Sequence, residues 1–321
     1  MNNLENQFAS LNIWKSKGER APHKPLLVLL TIGRYLRGDD RLIPYADIDV
    51  ELKRLLMDFG PWRKSYHPEL PYWHMQSDGL WEITNVAVPP GGIGGASAKR
   101  KLFLESESAG GFSEEIFLKL SADRNLAIQI AQSMLNAHFP ETIHTDILDA
   151  VGIDLEVSAA KRPARDPKFR QLILQAYSYR CAICGFNSRL DTILVGVEAA
   201  HIKWHQAGGP DTPDNGLALC SLHHKLFDRG VITVMNSRRI CVSEKANGDG
   251  IFNHLVIAFH GKMLTEPIRS TYYPADTSLK WHVKEVFQGP GRYLDYRRNS
   301  THTGSSGKIV ARRFGAEGRS K

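Results

Sequence analysis

Apolar residues in the first half of the chain recur mostly at helical spacing. Leu4 to Lys17 predicts a first helix, and Pro25 opens a second, whose buried face is Leu26, Leu27, Leu29, Leu30 and Leu36. Ile48, Leu52, Leu55, Leu56 and Phe59 mark a third, stopped at Gly60-Pro61. Between Tyr72 and Ile83 aromatic and polar positions alternate around Ser77-Asp78-Gly79, which predicts a short hairpin. Ser113 and Asp123 are placed as N-caps of two further helices carrying Ile116, Leu118, Ile128, Ile130 and Leu135.

The pattern changes after residue 157. Ser158 to Pro167 is small, basic and Pro-bearing, so it reads as a linker. Beyond it come a helix from Phe169 to Tyr177, a strand-like run from Thr192 to Ile202, a compact helix from His224 to Arg229 stopped by Gly230, and a hairpin of Val231 to Met235 with Arg239 to Ser243. The expected fold class is α+β: a mostly helical domain with a small hairpin over 1–157, a linker over 158–167, a second domain over 168–289 and a tail over 290–321.

Composition narrows the functional class. The chain has 321 residues, 42% of them hydrophobic and 23% charged, which is ordinary for a globular protein. No apolar run approaches the ~20 residues of a membrane span, and the first residues lack the basic and apolar regions of a secretory signal, so the expected compartment is the cytoplasm. There, cysteines indicate metal or thiol chemistry rather than disulfides. The net charge of +7 is concentrated: eight basic residues against Asp295 and Glu317 give the segment from Pro290 onward +6. The tail is therefore expected to be a basic arm with too few apolar residues to order itself. Two local clusters, Ala98 to Lys101 and Lys161 to Arg165, are further candidates for contact with a polyanion.

Cys181-x-x-Cys184 and Cys220-x-x-His223 are two close-spaced ligand pairs, the pattern by which two knuckles enclose one tetrahedral Zn²⁺. Cys241 is left over and reads as a core residue. Around the pairs stand Glu198-Ala-Ala-His201-Ile, Asp214-Asn215-Gly216 and His223-His224-Lys225. Over Phe169 to Val242 this resembles an HNH nuclease, a ββα-metal fold. The resemblance implies His201 as the general base that deprotonates water, Asn215 as the residue fixing strand and loop, and His224 as a ligand of a catalytic divalent ion. Asp228, four residues on along the same helix, shares a face with His224 and can ligate with it, and Mg²⁺ or Mn²⁺ suits that donor set. Many relatives carry an acidic or His ligand directly before the catalytic His, where this chain has Ala200. Glu198 is either a substitute or a strand-anchoring partner, and His205 reads as a surface residue.

In the first half, Pro22-His23-Lys24-Pro25, His67-Pro68-Glu69-Leu70-Pro71-Tyr72-Trp73 and Ser77 to Glu82 resemble the sulfur-binding domain of phosphorothioate-dependent type IV restriction endonucleases, over roughly residues 1–155. The resemblance implies a pocket with His67, Pro68 and Pro71 in its wall, positive charge from His23 and Lys24 at a helix start, and Lys99 and Arg100 on neighbouring phosphates. Sulfur in place of a non-bridging oxygen is larger and less strongly hydrated, so an apolar seat favours it. Trp73 and Trp81 read as core. The expected partner is double-stranded, phosphorothioated DNA, with no membrane and a homodimer left open. Two alternatives stand beside this reading: an HNH endonuclease directed to a modified base, and a non-catalytic zinc-containing DNA-binding protein.

Overall fold

The structure is a computed structural model and describes residues 3–13, 20–86, 96–153 and 167–293. By internal contacts it divides into two units, one of residues 1–165 with 204–208, the other of residues 166–203 with 209–321. Most of the expected linker, the cluster Lys161 to Arg165, the tail beyond residue 293 and the side chain of Lys99 lie outside the described residues.

In the first unit the sequence of elements is α1 (Asn3–Ala9), α2 (His23–Leu36), β1 (Ile43–Pro44), α3 (Tyr45–Phe59), α4 (Glu69–His74), β2 (Trp81–Thr84), α5 (Ala96–Glu105), β3 (Ala109–Phe112), α6 (Glu114–Ala122), α7 (Arg124–His138) and α8 (His144–Val151). The run Leu26 to Leu30 is buried on every side, so α2 is the central helix, packed by α3, α4, α6, α7 and α8. Gly33 is required there: a Cβ would stand 2.1 Å from the Val151 carbonyl oxygen. Asp123 caps α7 by accepting the Leu126 N–H, as expected, whereas the Ser113 side chain makes no capping bond.

The expected hairpin over Tyr72 to Ile83 does not form. Tyr72 belongs to α4, Met75 to Asp78 make a 3-10 turn, and Gly79 ends it at φ +72°. Tyr72 and Met75 are buried one helical turn apart, a spacing that the eye reads as alternation. β2 pairs instead with the distant β3, Trp81 opposite Phe112 and Thr84 opposite Ala109, and β1 completes an antiparallel sheet in the order β1-β3-β2. The first helix also ends earlier than expected, at Ala9. The backbone at Asn12 then turns to Asp78 and Lys24, as described below. Trp81 packs edge-on against Phe112 and Trp73 stacks on Phe103, both within the aromatic core.

In the second unit, α9 (Pro167–Ala176) leads to β4 (Ser188–Leu190) and β5 (Ile193–Val195), a hairpin absent from the sequence reading. Gly196, at φ +73°, breaks the expected continuous strand, and β6 (Val197–His201) follows. β6 pairs antiparallel with β7 (Gly216–Cys220), from His201 opposite Gly216 to Val197 opposite Cys220. α10 (Ser221–Asp228) begins three residues before its expected start, then β8 (Ile232–Val234) and β9 (Ile240–Val242) form the expected hairpin. Short α11 (Phe252–Leu255) and α12 (Asp276–Glu285) close the unit. α9 covers the β6–β7 ribbon with Phe169, Ile173 and Leu174. The first residues of the expected tail are ordered: Pro290 accepts from Glu244 N–H and Arg292 donates to the Val242 carbonyl, each near 3 Å.

Candidate functional site

The second unit carries two centres on one ββα framework. Cys181 and Cys184 stand on a knuckle after α9, where Gly185 N–H bonds the Cys181 carbonyl at 2.8 Å. Cys220 ends β7 and His223 lies in the first turn of α10. Their ligand atoms all fall within 4.8 Å of one another, a group that could hold a metal ion. Cys184 and Cys220 sulfurs are 4.0 Å apart, and His223 Nδ1 is 3.2 Å from Cys220 Sγ. Tetrahedral Zn–S bonds of about 2.3 Å separate sulfurs by about 3.8 Å, so the donor set and its spacing fit zinc. His223 Nε2 donates to the Leu255 carbonyl at 2.8 Å, which fixes the ring and presents Nδ1 to the cluster. Cys241 is outside the cluster, and burial pushes its thiol up to about 11.

His201 ends β6. Its ring stacks on Phe169, with centroids 4.0 Å apart, and its Nε2 lies 2.7 Å from Asp211 Oδ1. Asn215 is buried and spends its side chain on the loop between β6 and β7: Oδ1 accepts from Lys203 N–H, and Nδ2 donates to the Lys203 and Pro210 carbonyls at 3.0 and 2.9 Å. Those bonds set the loop that carries Asp211. On α10, His224 Nε2 is 3.2 Å from Asp228 Oδ2, and its Nδ1 is 2.6 Å from Glu198 Oε2. Glu198 also accepts from the Ser221 hydroxyl at 2.8 Å. Burial works against charge on His224, but Asp228 and Glu198 outweigh it and carry its pKa up to about 9.

In the first unit, a cavity of about 310 Å³ opens where the segment after α3 passes the start of α2, and its lining includes His23, Pro61, Arg63, Tyr66, His67 and Leu70. Burial, then the charges of Arg63, His67 and Arg20, lower the His23 pKa to about 4, so this imidazole is neutral at pH 7. His67 Nδ1 lies 2.9 Å from Glu69 Oε1, and its Nε2 lies 3.1 Å from Ser65 Oγ.

The family described as ScoMcrA-like, DNA sulfur-binding domain, matches residues 1–156, and the family described as HNH endonuclease matches residues 181–235. The chain joins a DNA sulfur-binding domain to an HNH endonuclease domain. Among solved structures, the sulfur-binding domain of SprMcrA complexed with phosphorothioated DNA is 22% identical, with 47% of this chain and 93% of that one covered at a TM-score of 0.42. The sulfur-binding domain of ScoMcrA complexed with phosphorothioated DNA is 16% identical, covering 48% of this chain and 97% of that one at 0.39. No curated protein matches the chain.

Within the HNH domain His201 ends β6, Asn215 immediately precedes β7 and His224 lies on α10, with Asp228 adjoining His224. Sequence reasoning missed Asp211 and Phe169, which hold the His201 ring. Glu198 serves as an ion-pair partner of His224, and His205 is exposed. The sulfur-binding domain departs further from expectation. His23 is neutral rather than cationic. Lys24 places Nζ on Asp78 Oδ2 at 2.5 Å and on the Asn12 carbonyl at 2.8 Å. Arg100 grips Asp49 with two bonds, of 2.8 and 2.6 Å. Pro68 and Pro71 are buried at the start of α4, and the lining of the cavity does not include them. Of the lining residues that the sequence reading did not assign to a pocket, Pro61 belongs to the visible Gly60-Pro61 helix stop, and Tyr66 and Leu70 flank His67-Pro68-Glu69.

Proposed function

We propose that this chain is a type IV restriction endonuclease that binds phosphorothioated duplex DNA through residues 1–156 and hydrolyses phosphodiester bonds with its HNH domain. The observation that carries the reading is the intact His201, Asn215, His224 set in a domain joined to a sulfur-binding domain. His201 acts as general base. With Nε2–H donated to Asp211, the neutral ring has its lone pair on Nδ1, the atom that takes the proton of the attacking water. Phe169 and Asp211 restrict the ring to that orientation, and Asn215 keeps Asp211 in place through the loop.

His224 and Asp228, with donor atoms 3.2 Å apart, would hold the catalytic ion, Mg²⁺ or Mn²⁺, whose preference for oxygen and imidazole donors this pair meets. Such an ion, when bound, stabilises charge on the phosphoryl group and on the leaving oxygen. Cys181, Cys184, Cys220 and His223 would hold structural Zn²⁺, tying the knuckle to β7 and α10 and so bracing the catalytic helix.

The seat for the sulfur is the cavity beside α2. Pro61, Tyr66 and Leu70 give it apolar walls, neutral His23 lines it beside them, and Arg63 and Lys64 bring positive charge for the neighbouring phosphates. His67 stays in this site; Pro68 and Pro71 are buried at the start of α4, outside its lining. Among the described residues no helix is long and apolar enough to cross a membrane. The test is binding and cleavage of one duplex sequence prepared plain, methylated, and as Rp and Sp phosphorothioates, with Mg²⁺ or Mn²⁺. A fixed cavity accepts sulfur from one stereoisomer and oxygen from the other, so affinity differs strongly between Rp and Sp. Equal affinity for both and for plain DNA, with tight binding to the methylated duplex, refutes the sulfur reading in favour of a modified-base reader.

A further inference from the structure

Ser65, His67 and Glu69 alternate along the segment that enters α4, and hydrogen bonds join them in series: Glu69 Oε1 to His67 Nδ1 at 2.9 Å, and His67 Nε2 to Ser65 Oγ at 3.1 Å. Ser65 and His67 line the cavity, while Glu69 lies behind them, fully buried. Its other oxygen, Oε2, has no hydrogen-bond partner among the described residues. A buried carboxylate with one partner gains when that partner takes on positive charge.

The surrounding charges make His67 the group that can respond. From α3 and α5, Tyr45 and Arg100 face Glu69, and Arg100 is matched to Asp49. From the cavity side come the cations Arg63 and Lys64 on the loop, beside neutral His23, whose pKa Arg20 also lowers. Positive charge here opposes a further proton, as Arg63 does, after burial, at His23. Glu69 favours one on His67. The imidazole therefore sits between a carboxylate that supports its charge and cations that oppose it, and an anion entering the cavity offsets the cations.

We propose that Glu69 and His67 form a proton-linked anion contact: a phosphate-type anion in the cavity is met by His67, which takes one proton from solvent at Nε2 and donates it to the anion. Glu69 holds Nδ1–H throughout, and Ser65 Oγ gives up its place on Nε2. This rests on the reading of the cavity as the seat of the modified phosphate. It adds a linkage: a ring protonated in the complex and neutral in the free protein makes affinity fall with rising pH, by up to about tenfold per unit once pH exceeds the free-state pKa. Glu69 is a positioning residue, acting through His67.

The experiment is calorimetric titration of the full chain, without added Mg²⁺ or Mn²⁺, with a short duplex bearing one phosphorothioate, at pH 7.5 in two buffers of different ionisation enthalpy. The expected result is uptake approaching one proton per duplex bound. Glu69→Gln, which keeps the size and the acceptor but removes the charge, and His67→Asn should each cut that uptake to a third or less. His205→Asn, at an exposed histidine outside the cavity lining, should retain it, and melting curves report whether each variant is folded. Tight binding by the unaltered chain with no proton uptake overturns the proposal, as does full uptake persisting in folded Glu69→Gln or His67→Asn. Should Glu69→Gln fail to fold, His67→Asn decides alone. Absence of any preference for the phosphorothioated duplex is a different failure, that of the cavity reading, and it removes the proposal with it.

Discussion

Lys24 stands where a phosphate contact is expected, yet the structure commits it to the fold. Its Nζ bonds Asp78 Oδ2 and the Asn12 carbonyl, and the two side chains are 11% and 5% exposed. Lys24→Met keeps the length of the stem and removes the charge. Removing one partner of a buried ion pair costs about 3–5 kcal/mol, because the other charge stays buried. Asp78 keeps the Asn12 N–H bond to Oδ1, at 3.1 Å, which places the expected loss at the lower end, about 3 kcal/mol. For a domain of roughly 150 residues that is a fall in Tm of roughly 6–12 °C. Scanning calorimetry of the full chain resolves it as a shift of one transition, since the HNH domain does not contain the pair. Lys24→Met combined with Asp78→Leu, which removes both charges, should recover more than half of the loss. Binding to plain and modified duplex, measured well below the melting transition, should change less than threefold. A Lys24→Met protein that melts within 2 °C of the unaltered chain, by the ~2–4 °C per kcal/mol scale, but loses DNA affinity tenfold would show that Lys24 serves the ligand and not the fold.

His201→Ala should lower the single-turnover cleavage rate by at least about 10²-fold while retaining the gel shift with modified DNA; near-normal cleavage would remove His201 as the base. Asp211→Asn should cost roughly ten- to a hundredfold in the same rate with unchanged Kd, and ¹⁵N spectra should show loss of the single Nε2–H tautomer at His201. Elemental analysis should find about one tightly held zinc per chain, and Cys220→Ser should lose it together with the folded HNH domain, because metal binding is coupled to folding. His23 contributes a pH dependence of stability. The unfolded imidazole takes up its proton near 6.5 and the folded one near 4, so the sulfur-binding domain loses up to about 3 kcal/mol as pH falls through that window, and His23→Asn should flatten the loss in urea titrations.

The HNH centre was legible because its chemistry is written in residue types that have few other uses at those spacings. Two ligand pairs and three polar residues in fixed contexts located it without any knowledge of tertiary contacts. Asp211 escaped because an aspartate in a loop has many ordinary explanations; it meets His201 through the bonds that Asn215 makes across the loop. The sulfur-binding domain was less legible for a related reason. Tyr72 to Ile83 carries a period that suits a hairpin locally, but Trp81 to Thr84 finds its partner at Ala109 to Phe112, and pairing across that separation has no local signature. Likewise Lys24 and Arg100 look like phosphate contacts until Asp78 and Asp49, distant in sequence, are folded against them.

The neutral state of His23 bears on how a sulfur-binding domain can discriminate at all. Phosphate and phosphorothioate carry the same charge, so a cation at the base of the cavity would attract both and separate neither. Selectivity has to come from the difference in hydration between sulfur and oxygen, and that difference counts where the replaced water finds apolar or weakly polar walls. Burial, and after it the charges of Arg63, His67 and Arg20, depress the His23 pKa and so keep this lining residue uncharged at pH 7. On the proposed reading of the cavity, Arg63 and Lys64 meet the anionic backbone that both esters share, while neutral His23 denies the oxygen of an ordinary phosphate a charged partner inside.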